Sequence, residues 1–140
     1  MAKEYIYAGS RLIATEEPVN AVPTVSITSP ANNAVFTAPA NITINATASD
    51  SDGTISKVEF YQGNTLLNTD TVAPYSYTWP NVAAGTYSLT AKATDNNNAV
   101  ISSSSITVIS NAPPAVSITN PANNATFTAP ANITIDASAS

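Results

Sequence analysis

The sequence predicts an all-β fold, an antiparallel two-sheet β-sandwich of about seven short strands, followed by an incomplete second copy of its own opening. Three observations carry this. Apolar and polar residues alternate with a period of two, and no useful stretch shows helical periodicity. Clusters of Asn, Asp, Gly, Pro and Ser punctuate the alternating runs. Residues 23–49 (PTVSITSPANNAVFTAPANITINATAS) and 114–140 (PAVSITNPANNATFTAPANITIDASAS) are identical at 22 of 27 positions, at an offset of 91.

Taken in order, Val25 and Ile27 open the first unit. In 41–48, Ile42, Ile44, Ala46 and Ala48 share one face, and Asn41, Thr43, Asn45 and Thr47 share the other. Val58 and Phe60 oppose Lys57, Glu59 and Tyr61, which puts Tyr61 on the outward side. Tyr75, Tyr77 and Trp79 form the next inward row, then Tyr87, Leu89, Ala91 and Ala93, then Ile106 and Val108. Turn chemistry separates the runs at 29–33, 50–53, 62–64, 80–85 and 95–98. The small alanines of 41–48 and 86–94 predict close sheet approach opposite Trp79, Tyr77 and Phe60.

The chain divides into an N-terminal extended or hairpin segment (1–22), a full unit (23–110), a proline-stiffened linker (111–113), and the first three strands of a second unit (114–140). Strands without sheet partners fray, so 114–140 is expected to need cover from another repeat or another copy.

Composition removes several functions. There is no Cys and no His, which excludes disulfides, thiolate sites, a Ser-His-Asp triad and almost any zinc or iron centre. Charged residues are 9% of the chain, against roughly 25% in an average domain. Four Lys plus Arg and nine Asp plus Glu give a net charge of −5, which argues against nucleic-acid binding. No apolar run is long enough to span a membrane, and the first twenty residues contain no apolar signal-peptide core.

The motifs KVEFYQGNTLL, APYSYTW and GTYSLTAKATD, set within 23–110, resemble a bacterial immunoglobulin-like domain of the type repeated in secreted proteins, adhesins and polysaccharide-degrading enzymes. The resemblance implies an Ig-like sandwich, a corner tyrosine at Tyr87, an extracellular or cell-surface location, and no enzymatic activity. Residues 4–14 (EYIYAGSRLIA) are similar to the tail of a YD, or Rhs-type, repeat; an ordinary strand-turn-strand segment reads equally well.

Asp50, Asp52 and Asp95 fall in loops expected to share one pole, and hard carboxylate oxygens are what Ca²⁺ requires. The competing reading is that Asp, Asn and Gly simply make turns. No other cofactor is expected. As an acid/base pair these carboxylates have no predicted apolar pocket to separate their titration. Asn41, Asn45, Asn124 and Asn132 match the N-x-Ser/Thr glycosylation pattern. Tyr61 is the candidate for stacking on a sugar, although one aromatic is a thin platform. The expected role is a non-catalytic structural module, a spacer, stalk or adhesive repeat, with filament formation by strand exchange between copies. The alternative is an accessory carbohydrate- or surface-binding module of a secreted enzyme or adhesin. The expected partners are other copies or neighbouring repeats, then polysaccharide.

Overall fold

The computed structural model describes residues 4–9, 11–16 and 18–140. All regular elements among them are β-strands. Glu4–Ala8 (β1) and Arg11–Glu16 (β2) form an antiparallel hairpin, with a bulge between Ile6 and Tyr7 and a left-handed Gly9 at the turn.

The full unit is a sandwich. One sheet contains Thr24–Ser29 (β3), Ala40–Ser49 (β5) and Tyr75–Val82 (β8), in the order β3-β5-β8. The other contains Ala34–Thr37 (β4), Ile55–Gln62 (β6), Thr65–Asp70 (β7), Gly85–Asp95 (β9) and Ile106–Asn111 (β11), in the order β4-β11-β9-β6-β7, and Val100–Ser102 (β10) also pairs with β9. The inward alternation holds along β5, where Ala40, Ile42, Ile44 and Ala46 are all buried. Val58 and Phe60, Tyr75 and Val82, Leu89, Ala91 and Ala93, and Val108 complete the core. In the β6–β9 register Phe60 lies beside Ala91 and Val58 beside Ala93, so a large side chain is set against a small one within the layer.

Several expectations are corrected. The unit has nine strands, the six rows that the alternation located together with β4, β7 and β10. The sandwich is not wholly antiparallel: β4 runs parallel to β11. The cause is a crossover just after β3. Asn33 takes φ 64°, its N–H donates to Thr107 O (2.7 Å), and Asn32 Oδ1 accepts from Thr107 N (2.8 Å). These bonds move the chain from one sheet to the edge of the other. Trp79 does not oppose β5 but pairs beside it, with Ile42 as its register partner, and it meets Tyr87 edge-on at 5.1 Å. Tyr77 and Trp79 lie at the margin of the core, partly buried.

Tyr87 makes the expected corner, its hydroxyl donating to Ala83 O at 3.1 Å. A Cβ at Gly85 would come 2.9 Å from that hydroxyl, so the corner needs glycine there. The run Ser102–Ser105 is where the last strand breaks between β10 and β11. Ser103 Oγ accepts from Ala91 N (3.0 Å), replacing a ladder bond across the break.

The second copy is less ordered into strands than expected. Only Val116–Asn120 (β12) and Asp136–Ala139 (β13) form, paired with each other. The equivalents of β4 and of the first half of β5 are irregular. In the full unit those stretches are held by β11 and β8, which have no counterpart beside 114–140. Asn111 is not linker but the last residue of β11, and its carbonyl accepts from Ala38 N at 2.7 Å.

Candidate functional site: an acidic pole and a docked strap

The loop after β5 and the loop after β9 meet at one end of the sandwich, as the sequence led us to expect. Asp95 is 1% exposed and ends β9. Its Oδ1 accepts from the N–H groups of Asn97 (2.8 Å) and Ala99 (2.8 Å), and its Oδ2 accepts from Asn20 Nδ2 (2.8 Å). Burial pushes its pKa up, but the donors from Asn20, Ala99, Asn97 and Asn98 outweigh this and hold it below the ordinary carboxylate value. Asp95 is therefore the organiser of its own turn. Asn96 ties the two loops together: its N–H donates to Thr54 O (2.9 Å) and its Oδ1 accepts from Thr54 N (2.8 Å).

Asp52 Oδ2 accepts from Ala21 N at 2.9 Å. With the Asn20 contacts to Asp95 and Asn97, this straps residues 20 and 21 across the pole. Sequence reasoning placed both residues outside the unit. The signal that locates them is the repeat itself: Asn20-Ala21 recurs as Asn111-Ala112 at the same offset of 91.

Asp50 is in the opposite state to Asp95. Both its carboxylate oxygens are sealed from solvent and accept no hydrogen bond. Its pKa is raised, first by burial, then by Asp52, whose carboxylate can share a hydrogen bond with it only if one of the two is protonated, and by the charge of Asp95; the nearby N–H of Asp52 pulls weakly the other way. Of these two neighbours at the pole, Asp50 is thus pushed up and Asp95 down. Asp50 Oδ2 and Asn96 Oδ1 crowd Gly53, where a Cβ would come 2.6 Å from the first and 2.2 Å from the second. Among the described residues no three acidic side chains stand as a ready metal cage, because Asp95 is turned to its backbone donors.

The profile of the bacterial Ig domain family matches residues 23–91 and 114–140. The chain belongs to this family. Among solved structures it is similar to the fibronectin(III)-like modules of Clostridium thermocellum CbhA, at 39% identity and a TM-score of 0.60, over 63% of this chain and 96% of that one. It is also similar to the PKD1 domain of Vibrio anguillarum Epp, at 17% identity and a TM-score of 0.47, over 68% and 100% of the two chains. No curated protein sequence matches.

The other candidate positions of this Ig domain are scattered. Tyr61 is half-buried on β6, and Lys92 Nζ lies 4.8 Å from its ring centroid, occupying a face that a sugar would stack on. Asn41 Oδ1 accepts from Asn81 N (3.0 Å) and Asn45 Oδ1 from Ser76 Oγ (2.7 Å), so both amides are engaged with β8. Asn124 and Asn132 are exposed in the second copy. No described helix is long and apolar enough to cross a membrane.

Proposed function

We propose that this Ig domain is a non-catalytic extracellular structural module, a spacer or adhesive repeat within a tandem array. We further propose that an opening segment such as 114–140 is completed by strands equivalent to β6–β11 from another repeat, whether of a longer chain or of a second copy. The observation that carries this reading is the second copy's apolar row. Val116, Ile118, Phe127, Ile133 and Ile135 are exposed, although the same residue types at the equivalent positions of the first copy pack into its sandwich. Apolar side chains spaced for a sheet interior gain their stability only from a facing layer. Exchange of strands between copies, run head to tail, builds an open filament. Sedimentation velocity over a concentration series tests the exchange between copies. A sedimentation coefficient that rises with concentration supports it, and a purely monomeric species removes it while leaving the spacer role.

The accessory-module reading draws support from the likeness to the CbhA modules, which are parts of a larger protein. Retention on a polysaccharide column that is lost in Tyr61→Ala is the result that reading requires.

A further inference from the structure

We propose that the second copy is a receptor for one extended strand, the β11 of another repeat, and that the turn at Asn123-Asn124 is the clamp that recognises it. This contact, which rests on the completion of 114–140 described above, is the one that starts it. The first copy supplies the template. There Asn33 N–H donates to Thr107 O at 2.7 Å, Asn32 Oδ1 accepts from Thr107 N at 2.8 Å, and Ala38 N–H donates to Asn111 O at 2.7 Å. Between these two clamps β4 runs parallel to β11, from Ala34 beside Val108 to Thr37 beside Asn111. Backbone bonds of this kind fix a strand's direction and register, and its alternate side chains choose the sequence. Here those side chains are Ile106, packed on the core, and Val108, fully buried.

Every group of this receptor recurs in the second copy. The copies differ at Thr24, Ser29, Val35, Asn45 and Thr47 of the first, and none of these belongs to the core or packs against it. The clamp already has its shape without its strand. Asn33 and Asn124 both take φ 64°, and the bond from Ala34 N–H to Ala31 O (3.1 Å) is repeated from Ala125 N–H to Ala122 O (3.1 Å). Beside the clamp lies an open cleft of about 490 Å³, lined by Ile118, Pro121, Asn123, Asn124, Ile133 and Ile135. In the first copy Pro30, Ile42 and Ile44, the equivalents of Pro121, Ile133 and Ile135, are buried. A preformed clamp lowers the cost of ordering on binding, and a strand laid in the cleft covers apolar surface that is otherwise wet. The chain's own β11 is engaged between β9 and β4 of the first unit, so the occupant comes from outside. It carries β-branched residues at the places of Ile106 and Val108 and a small one at the place of Ser110, which is buried.

The probe is a fluorescein-labelled synthetic peptide of residues 104–111 (SSITVISN), titrated with the whole chain. Anisotropy gives the affinity and hydrogen exchange gives the place. Saturable binding is expected, with slowed exchange at Asn124 N–H and Ala129 N–H. N-methylation of the peptide at Thr107 removes the proton offered to Asn123 Oδ1 and should weaken binding by about tenfold. Val108→Asp in the peptide should abolish it. Asn123→Ala in the chain should weaken the unmodified peptide by a similar factor and the N-methylated one no further, because both changes remove the same bond. The first unit, followed through the single tryptophan, Trp79, should melt as in the wild type. No saturation, binding indifferent to N-methylation, or protection confined to the first unit overturns the inference. Sedimentation separates it from the exchange between copies. A monomeric chain that binds the peptide keeps the receptor and loses the exchange, and an oligomer that ignores the peptide keeps the exchange and loses the receptor.

Discussion

Residues 23–49 and 114–140 are nearly the same sequence in two different physical situations. In the first copy Ile42 and Ile44 are 0% and 1% exposed; in the second, Ile133 and Ile135 are 51% and 67% exposed. In the first copy β4 and the whole of β5 are strands; in the second, their equivalents keep only the stretch that pairs with β12. The turn survives in both, with Asn33 and Asn124 each at φ 64°. Turn geometry is local, and the sequence carries it unaided. Strand geometry and burial need neighbours, and only the first copy has them.

Paired substitutions break this comparison most directly. Ile42→Ala should cost about 2–5 kcal/mol in denaturant unfolding, because it opens a cavity between the sheets. Ile133→Ala, the same change in the second copy, should stay within about 0.5 kcal/mol. An equal loss at both positions would show that 114–140 is covered in solution, and would sharpen the case for assembly. The next largest effect is expected at the corner. Tyr87→Phe removes the hydroxyl bond to Ala83 O and should cost about 1 kcal/mol.

The straps offer a second pair. Asn20→Ala removes side-chain bonds to Asp95 and Asn97 and should lower the melting temperature measurably. Asn111→Ala should leave it unchanged, since Asn111 holds the first unit through its carbonyl.

The smallest effect lies in pH, and it has two signs. Asp95 has a folded value below its unfolded one, so its contribution is present above the unfolded value and lost as pH falls through the folded one. Asp50 has a raised folded value, so its ionised form weakens the fold, and the weakening is relieved as pH falls through that value. At neutral pH, Asp95→Asn should therefore lower the melting temperature and Asp50→Asn should not. Two decreases of equal size would show that Asp50 is paired in solution.

Much of this protein was legible in its sequence. The alternation in 41–48 and 86–94 located the core rows of β5 and β9, and the aspartates were brought to one pole as expected. The strands that escaped notice share a cause. β4 and β10 have four and three residues, too few for a period to register. In β7, Leu66 and Leu67 are adjacent, so the alternation is blurred. The parallel pairing of β4 rests on bonds from Asn32 and Asn33 to Thr107, far away in the chain.

The sequence by itself determined which face of each strand is apolar, where the chain turns, and that one unit is followed by the start of another. Those are properties of neighbouring residues: side-chain parity, turn chemistry and repetition. The tertiary structure alone decided which of two equivalent isoleucine rows is buried and which of two nearby aspartates is satisfied. Burial requires a facing layer, and a carboxylate's state depends on donors that arrive through space, as Asn20 reaches Asp95 across 75 residues of chain.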